Sequence, residues 1–169
     1  MLALLLASKI ALAAQKQVGV TVGYDPSYVV LRYPGGDLPR ETGVCADVII
    51  RAFREMGVDL QVEVHDDMAR HFAAYPKKWN LSAPDKNIDH RRVPNLMTFF
   101  ARRGKLVRDD YQPGDVVAWQ LPGGLYHIGI VSNDRVPNTS RYSMIHNIGR
   151  GARNEDVLNA WPIIGHYRW

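Results

Sequence analysis

Cys45 is the single cysteine of the sequence, and it stands where the residue pattern starts a helix. In residues 44–57, VCADVIIRAFREMG, the side chains Cys45, Val48, Ile49, Ala52, Phe53 and Met56 recur at offsets 0, 3, 4, 7, 8 and 11, one apolar stripe. Arg51, Arg54 and Glu55 fall off it, and Gly57 supplies a stop. A thiol in the first helical turn meets unpaired backbone N–H groups and the positive end of the helix dipole, which favour a thiolate. The competing reading is a small buried hydrophobe. What tilts the balance towards a nucleophile is the approach: Tyr24-Asp25-Pro26, Tyr33-Pro34-Gly35-Gly36-Asp37, Pro39 and Gly43 make a long, specifically folded loop ahead of the cysteine.

A nucleophilic thiol needs a base and a group that orients it. His127 and His146 fall on consecutive predicted strands. Alternation puts His127 on a face with Gly129 and Val131, and His146 with Met144 and Ile148. Antiparallel pairing in one register sets the two imidazoles side by side. The alternative is two unrelated histidines, each satisfied by backbone carbonyls. A zinc site of His127, His146 and Asp115 is arithmetically open, but no metal-ligand spacing supports it, and one cysteine excludes every multi-cysteine site. No metal or cofactor is expected. Asp89-His90-Arg91-Arg92 reads as a solvated charge cluster, with a substrate-carboxylate clamp by Arg91 or Arg92 as the alternative. Trp119, in the strand before His127, is a candidate for the wall of a groove.

These residues must be positioned by an α+β domain. The sequence has 169 residues, 46% hydrophobic and 22% charged, which suits one globular domain over 1–169. The stretch Met1–Ala14 is too short and too broken by Lys9 to span a bilayer. It reads as an amphipathic helix to about Gln17, burying Leu2, Leu5, Leu6, Ala13 and Val18, in preference to a signal peptide; any export signal is expected upstream. Further helices are predicted over Val64–Tyr75 and from Pro94-Asn95 through Arg103. Strands follow at Val116–Trp119, Tyr126–Val131, Tyr142–Ile148 and Ile163–Tyr167, joined by connections short enough for antiparallel pairing. Helices first and a sheet after make α+β.

Taken together, Tyr33-x-x-Gly36, Gly43-Val44-Cys45-x-Asp47-Val48, Pro113-Gly114-Asp115-Val116-Val117, His127-Ile128-Gly129-Ile130-Val131 and Ile145-His146-Asn147 resemble the NlpC/P60 cysteine-peptidase pattern. From about residue 8 the chain more closely resembles the bacterial DUF1287 family, a branch of the NlpC/P60-like amidases, through YDPSYV, YPGGD, GVCADVIIRAFREMG, NIDHRRVPNL, PGDVVAW, HIGIVSN, HNIG and GHYRW. The resemblance implies a papain-like fold with the cysteine helix packed on an antiparallel sheet. It implies Cys45 as nucleophile, His127 as general base, His146 as the orienting residue and Tyr33 as a donor to the oxyanion. Where the wider pattern has Asp-Cys-Ser-Gly, this chain has Val44-Cys45-Ala46-Asp47, so Asp47 is only a candidate substitute for the substrate role of that aspartate and serine.

The implied reaction is hydrolysis of amide bonds in the peptide part of bacterial peptidoglycan through a thioester, in the periplasm or outside the cell. The net charge of +4 suits an anionic polymer. Two other classes compete: a non-catalytic wall- or protein-binding module on the same fold, and a thioester acyltransferase. Nucleic-acid binding finds no support, since basic and aromatic residues are not interleaved.

Overall fold

The computed structural model describes residues 2–169, with side chains from Ser8 onward. Four α-helices precede a five-stranded antiparallel sheet, so the domain is α+β. The helices are α1 (Leu2–Gln15), α2 (Cys45–Glu55), α3 (Leu60–His71) and α4 (Val93–Arg102). The strands are β1 (Val116–Gln120), β2 (Tyr126–Arg135), β3 (Tyr142–His146), β4 (Arg153–Glu155) and β5 (Ile163–Tyr167), in the order β4-β3-β2-β1-β5. No helix among the described residues is long and apolar enough to cross a membrane.

The stripe on α2 does what its spacing predicts. Val48, Ile49, Ala52 and Phe53 are buried, and Ile50 joins them because α2 is covered on more than one side. Each such aliphatic or aromatic side chain contributes roughly 1.5–3 kcal/mol by burial. Phe53 meets Phe100 of α4 and the terminal Trp169 at ring separations of 5.5 Å. In α1, Ala13 is buried and Val18 beyond its end packs on the core; the expected burial of Leu2, Leu5 and Leu6 lies outside the described residues.

Three differences from the sequence expectation have local causes. Helix α3 starts four residues early, at Leu60, because the Asp59 side chain accepts from the Gln61 N–H and caps it. Strand β2 runs on to Arg135, paired there with Tyr142. Strand β4 has only three residues, none of them strongly apolar, and it is held by pairing with β3.

The sheet has two apolar faces. Val116, Ala118, Ile128, Ile130 and Ile145 face the helices, while Val117, Trp119, Val131, Met144 and Leu158 form a second cluster. Alternation along β2 therefore sends Ile128 towards α2 and His127 to the opposite face, under Trp119. Gly129 is the close-approach point beneath it. A Cβ there would lie 3.0 Å from the Ile145 carbonyl, 3.1 Å from His146 Cβ and 3.2 Å from the Trp119 ring. Gly129→Val is accordingly expected to lower the thermal midpoint by several degrees and to separate the His127 and His146 rings, read as a shift of their imidazole NMR resonances.

Candidate active site

Cys45 is the first residue of α2. Asp47 builds that helix start: it accepts from the Val44 N–H through Oδ2 at 2.6 Å, although Val44 itself has no side-chain cap to offer. Both Asp47 oxygens also receive the Arg91 guanidinium, Nε to Oδ1 at 3.0 Å and Nη2 to Oδ2 at 3.1 Å. The remaining Arg91 donors go to the carbonyls of Ser27 and Asp25. The structure thus occupies Asp47 and Arg91 with holding the approach loop against the helix start. Asn147 ties down the same region by donating to the carbonyls of Gly23 and Gly43.

The backbone N–H groups of Ile128, Ala46 and Cys45 itself lie near the Cys45 sulfur. These donors, as expected at a helix start, favour the thiolate, but burial outweighs them and pushes the thiol up to about 12. Among the described residues no hydrogen bond joins the thiol to an imidazole. His127 is the residue immediately before the Ile128 N–H on β2.

His127 Nε2 and His146 Nδ1 are 2.8 Å apart, and His146 Nε2 lies 3.1 Å from Glu155 Oε2. Burial lowers the pKa of both rings, His127 to about 3. The chain of bonds then fixes the tautomers. A carboxylate only accepts, so His146 carries its proton on Nε2; its Nδ1 is then the acceptor, and His127 must donate from Nε2. Nδ1 of His127 is left with a lone pair, the state a general base requires. Trp119, fully buried, stacks on His127 at 5.6 Å and donates its indole N–H to the Leu158 carbonyl at 2.9 Å. Trp161 closes the other side, edge-on to both imidazoles at 5.8 and 6.4 Å. Trp119 is therefore a wall of the histidine pair rather than of an open groove.

A groove of about 420 Å³ opens at Cys45, bordered by Tyr24, Tyr28, Trp79, Arg92 and Tyr126 among others. Tyr24 lies close enough to Cys45 and Asp47 for both to add to burial in raising its phenol pKa. Tyr33 is elsewhere: its hydroxyl reaches Asp66 of α3 at 3.4 Å and its ring packs on His65. Tyr24, Glu155 and Trp161 are the site residues that sequence reasoning missed. Tyr24 carried a signal, since YDPSYV was one of the matching segments; Glu155 and Trp161 carried none. Asp115, offered as a metal carboxylate, instead binds His166 at 2.7 Å and Arg168 at 2.8 Å.

The buried histidines make stability depend on pH. His127 and His90 have pKa values lowered to about 3 and 4, so the folded state resists protons that the unfolded chain takes up below pH 6.5. Stability present above that pH is lost as pH falls towards 4. Asp89, raised by burial to about 6, works in the opposite direction, gaining a proton more easily when folded. His127 and His90 against Asp89 leave an expected net loss of roughly 4 kcal/mol between pH 7 and pH 4, to which the lowered His146 adds in the same direction, measurable by urea denaturation at both.

These features define an α+β domain with a cysteine at a helix start and a hydrogen-bonded histidine pair on the adjoining sheet. The chain belongs to the DUF1287 family, described as a domain of unknown function, which it matches over residues 11–169. It is 56% identical over 165 residues to the uncharacterized protein YijF of Escherichia coli strain K12, covering 95% of this chain and 80% of that protein. No solved structure matches it.

Proposed function

We propose that this protein is a cysteine hydrolase of the NlpC/P60-like, papain-fold superfamily, cleaving amide bonds in peptidoglycan peptides in the cell envelope. The observation that carries this reading is the oriented chain His127–His146–Glu155, which leaves one nitrogen of His127 unprotonated, next in sequence to Ile128, whose backbone N–H lies near the Cys45 sulfur. The resting pair is neutral thiol and neutral imidazole. Proton transfer to His127 accompanies attack of sulfur on the carbonyl, and negative charge passes directly to the substrate oxygen. The Cys45 N–H, with the Tyr24 hydroxyl in place of the expected Tyr33, supplies the donors for that oxyanion. The protonated imidazole then delivers its proton to the leaving amine, and water hydrolyses the thioester.

A second reading, a binding module on the same scaffold, is favoured by the strongly raised thiol and the absence of a sulfur–imidazole hydrogen bond among the described residues. Digestion of purified peptidoglycan by the unmutated protein and by Cys45→Ala, with products resolved by mass spectrometry, separates the two. Soluble peptides released only by the unmutated protein are expected, and their masses identify the bond. Release by neither protein, with both retained on the sediment, would make the domain a binder. An amide product formed with an added amine would mark an acyltransferase.

A further inference from the structure

Away from the Cys45 groove, a cavity of about 180 Å³ lies between the end of α1, the later turns of α2 and the loop at Asp37 and Arg40. Its α2 residues, Arg51, Arg54 and Glu55, stand about 9–15 Å along the helix axis from Cys45. Four cations line it, Lys16, Arg40, Arg51 and Arg54, against the two carboxylates of Asp37 and Glu55. Both carboxylates are engaged. Glu55 takes Lys16 Nζ at 2.7 Å, and the two oxygens of Asp37 take Arg51 Nε at 3.1 and 3.0 Å. The Nη groups of Arg51 go to Thr21 and to the Thr42 carbonyl, so this arginine is part of the wall. Arg54 gives Nη2 to Asp59 and to the Gly36 carbonyl, yet its Nε is buried without a partner. Thr21 fixes the Arg40 carbonyl, while no hydrogen bond or ion pair holds the exposed Arg40 guanidinium to any described residue.

One acceptor stands among these donors. Gln17 is only 7% exposed. Its Nε2 donates to the Val48 carbonyl, which fixes the orientation of the amide and leaves Oε1 buried without a partner. An unmet donor and an unmet acceptor, both buried on residues of one cavity, call for an occupant. Arginine donors ask for an oxyanion, and the amide oxygen asks for a hydroxyl.

We propose that this cavity is a binding site for inorganic phosphate, whose oxygens accept from Arg40 and from Arg54 Nε and whose P–OH donates to Gln17 Oε1. Sulfate carries no proton near neutrality, and a phosphomonoester loses its own above a second pKa of about 6. At pH 8 either of them sets an oxygen lone pair against the amide oxygen, whereas the inorganic ion still keeps one P–OH. The bound ion joins α1, α2 and the loop that runs on into Cys45. The site draws on no step of the cysteine chemistry and stands whether or not the protein is a hydrolase.

The test is calorimetry of the unmutated protein at pH 8 and constant ionic strength, with inorganic phosphate, sulfate and methyl phosphate as probes. Phosphate is expected to bind with a Kd below about 1 mM, at least about tenfold more tightly than either of the others. Arg40→Gln should weaken it about tenfold. Arg108→Gln, which removes the same charge from an exposed position outside the cavity, should leave it within about twofold. Gln17→Met should bring the three anions within about threefold of one another. That variant also loses the bond to Val48, so circular dichroism checks its fold, and the two arginine variants decide the matter if it unfolds. Equal binding of the three anions by the unmutated protein would reveal a bare cluster of charge and overturn the proposal. Binding of none of them, or the same loss in Arg108→Gln as in Arg40→Gln, overturns it too.

Discussion

His127→Asn is expected to cut peptide release from peptidoglycan by at least about a thousandfold, the loss typical when the base of a nucleophile pair is removed. Glu155→Gln should cost less, about tenfold to a hundredfold, for a reason specific to this arrangement. An amide can donate to His146 Nε2, which pushes the His146 proton to Nδ1 and makes His127 Nε2 the acceptor. The His127 proton then sits on Nδ1, where it can take no other. Part of the population is in the wrong tautomer without any change in fold, so rates should drop while thermal midpoints stay within a degree or two. Glu155 is a positioning residue in this scheme, and only its effect on rate tests that role. Activity of His127→Asn within tenfold of the unmutated protein would exclude the imidazole as base. The same scheme predicts a sluggish resting thiol: with the thiol held near 12, Cys45 should react with iodoacetamide at pH 7 more than about a hundredfold slower than free cysteine.

Local pattern carried much of this architecture and part of the site. The α2 stripe and the two histidine-bearing strands follow from periodicities that burial enforces, and the antiparallel pairing from short connections, so spacing places Cys45 at a helix start and allows His127 beside His146 in one register. Polar partners depend instead on chain segments far apart in sequence. His146 finds Glu155 because a short, polar β4 pairs with β3, and nothing in RNE advertises a strand. Tyr24 displaced Tyr33 at the thiol because Arg91 and Asn147 pull residues 23–27 against the start of α2, while Tyr33 is drawn to α3. Several motifs that carry the family resemblance also build the architecture. PGD and GHYRW meet as the Asp115–His166–Arg168 knot, and DHRR, expected as a solvated cluster, instead buries Asp89, His90 and Arg91 and supplies the arginine that holds Asp47.

That last pair should give the largest stability effect of any single substitution near the site. Arg91 and Asp47 side chains are 2% and 4% exposed, so their charges are compensated by each other and not by water. Arg91→Ala removes the cation and leaves Asp47 buried with one backbone N–H as its remaining partner, a change expected to cost about 3–5 kcal/mol. Asp47→Asn keeps an acceptor for the Val44 N–H but strands the guanidinium, so it should fall in the same range or slightly below. Removing both charges in Arg91→Ala/Asp47→Asn should recover part of the loss, because an uncompensated charge, more than the missing bond, dominates each single change. Urea denaturation of the four proteins at pH 7 measures the coupling directly. Losses under 1 kcal/mol in the single variants would mean that water reaches the pair, and the start of α2 would then be held by the Val44–Asp47 cap and the Asn147 bonds instead. With the expected coupling, the ion pair is what fixes the first turn of α2, and through it the place of Cys45 at the border of the groove.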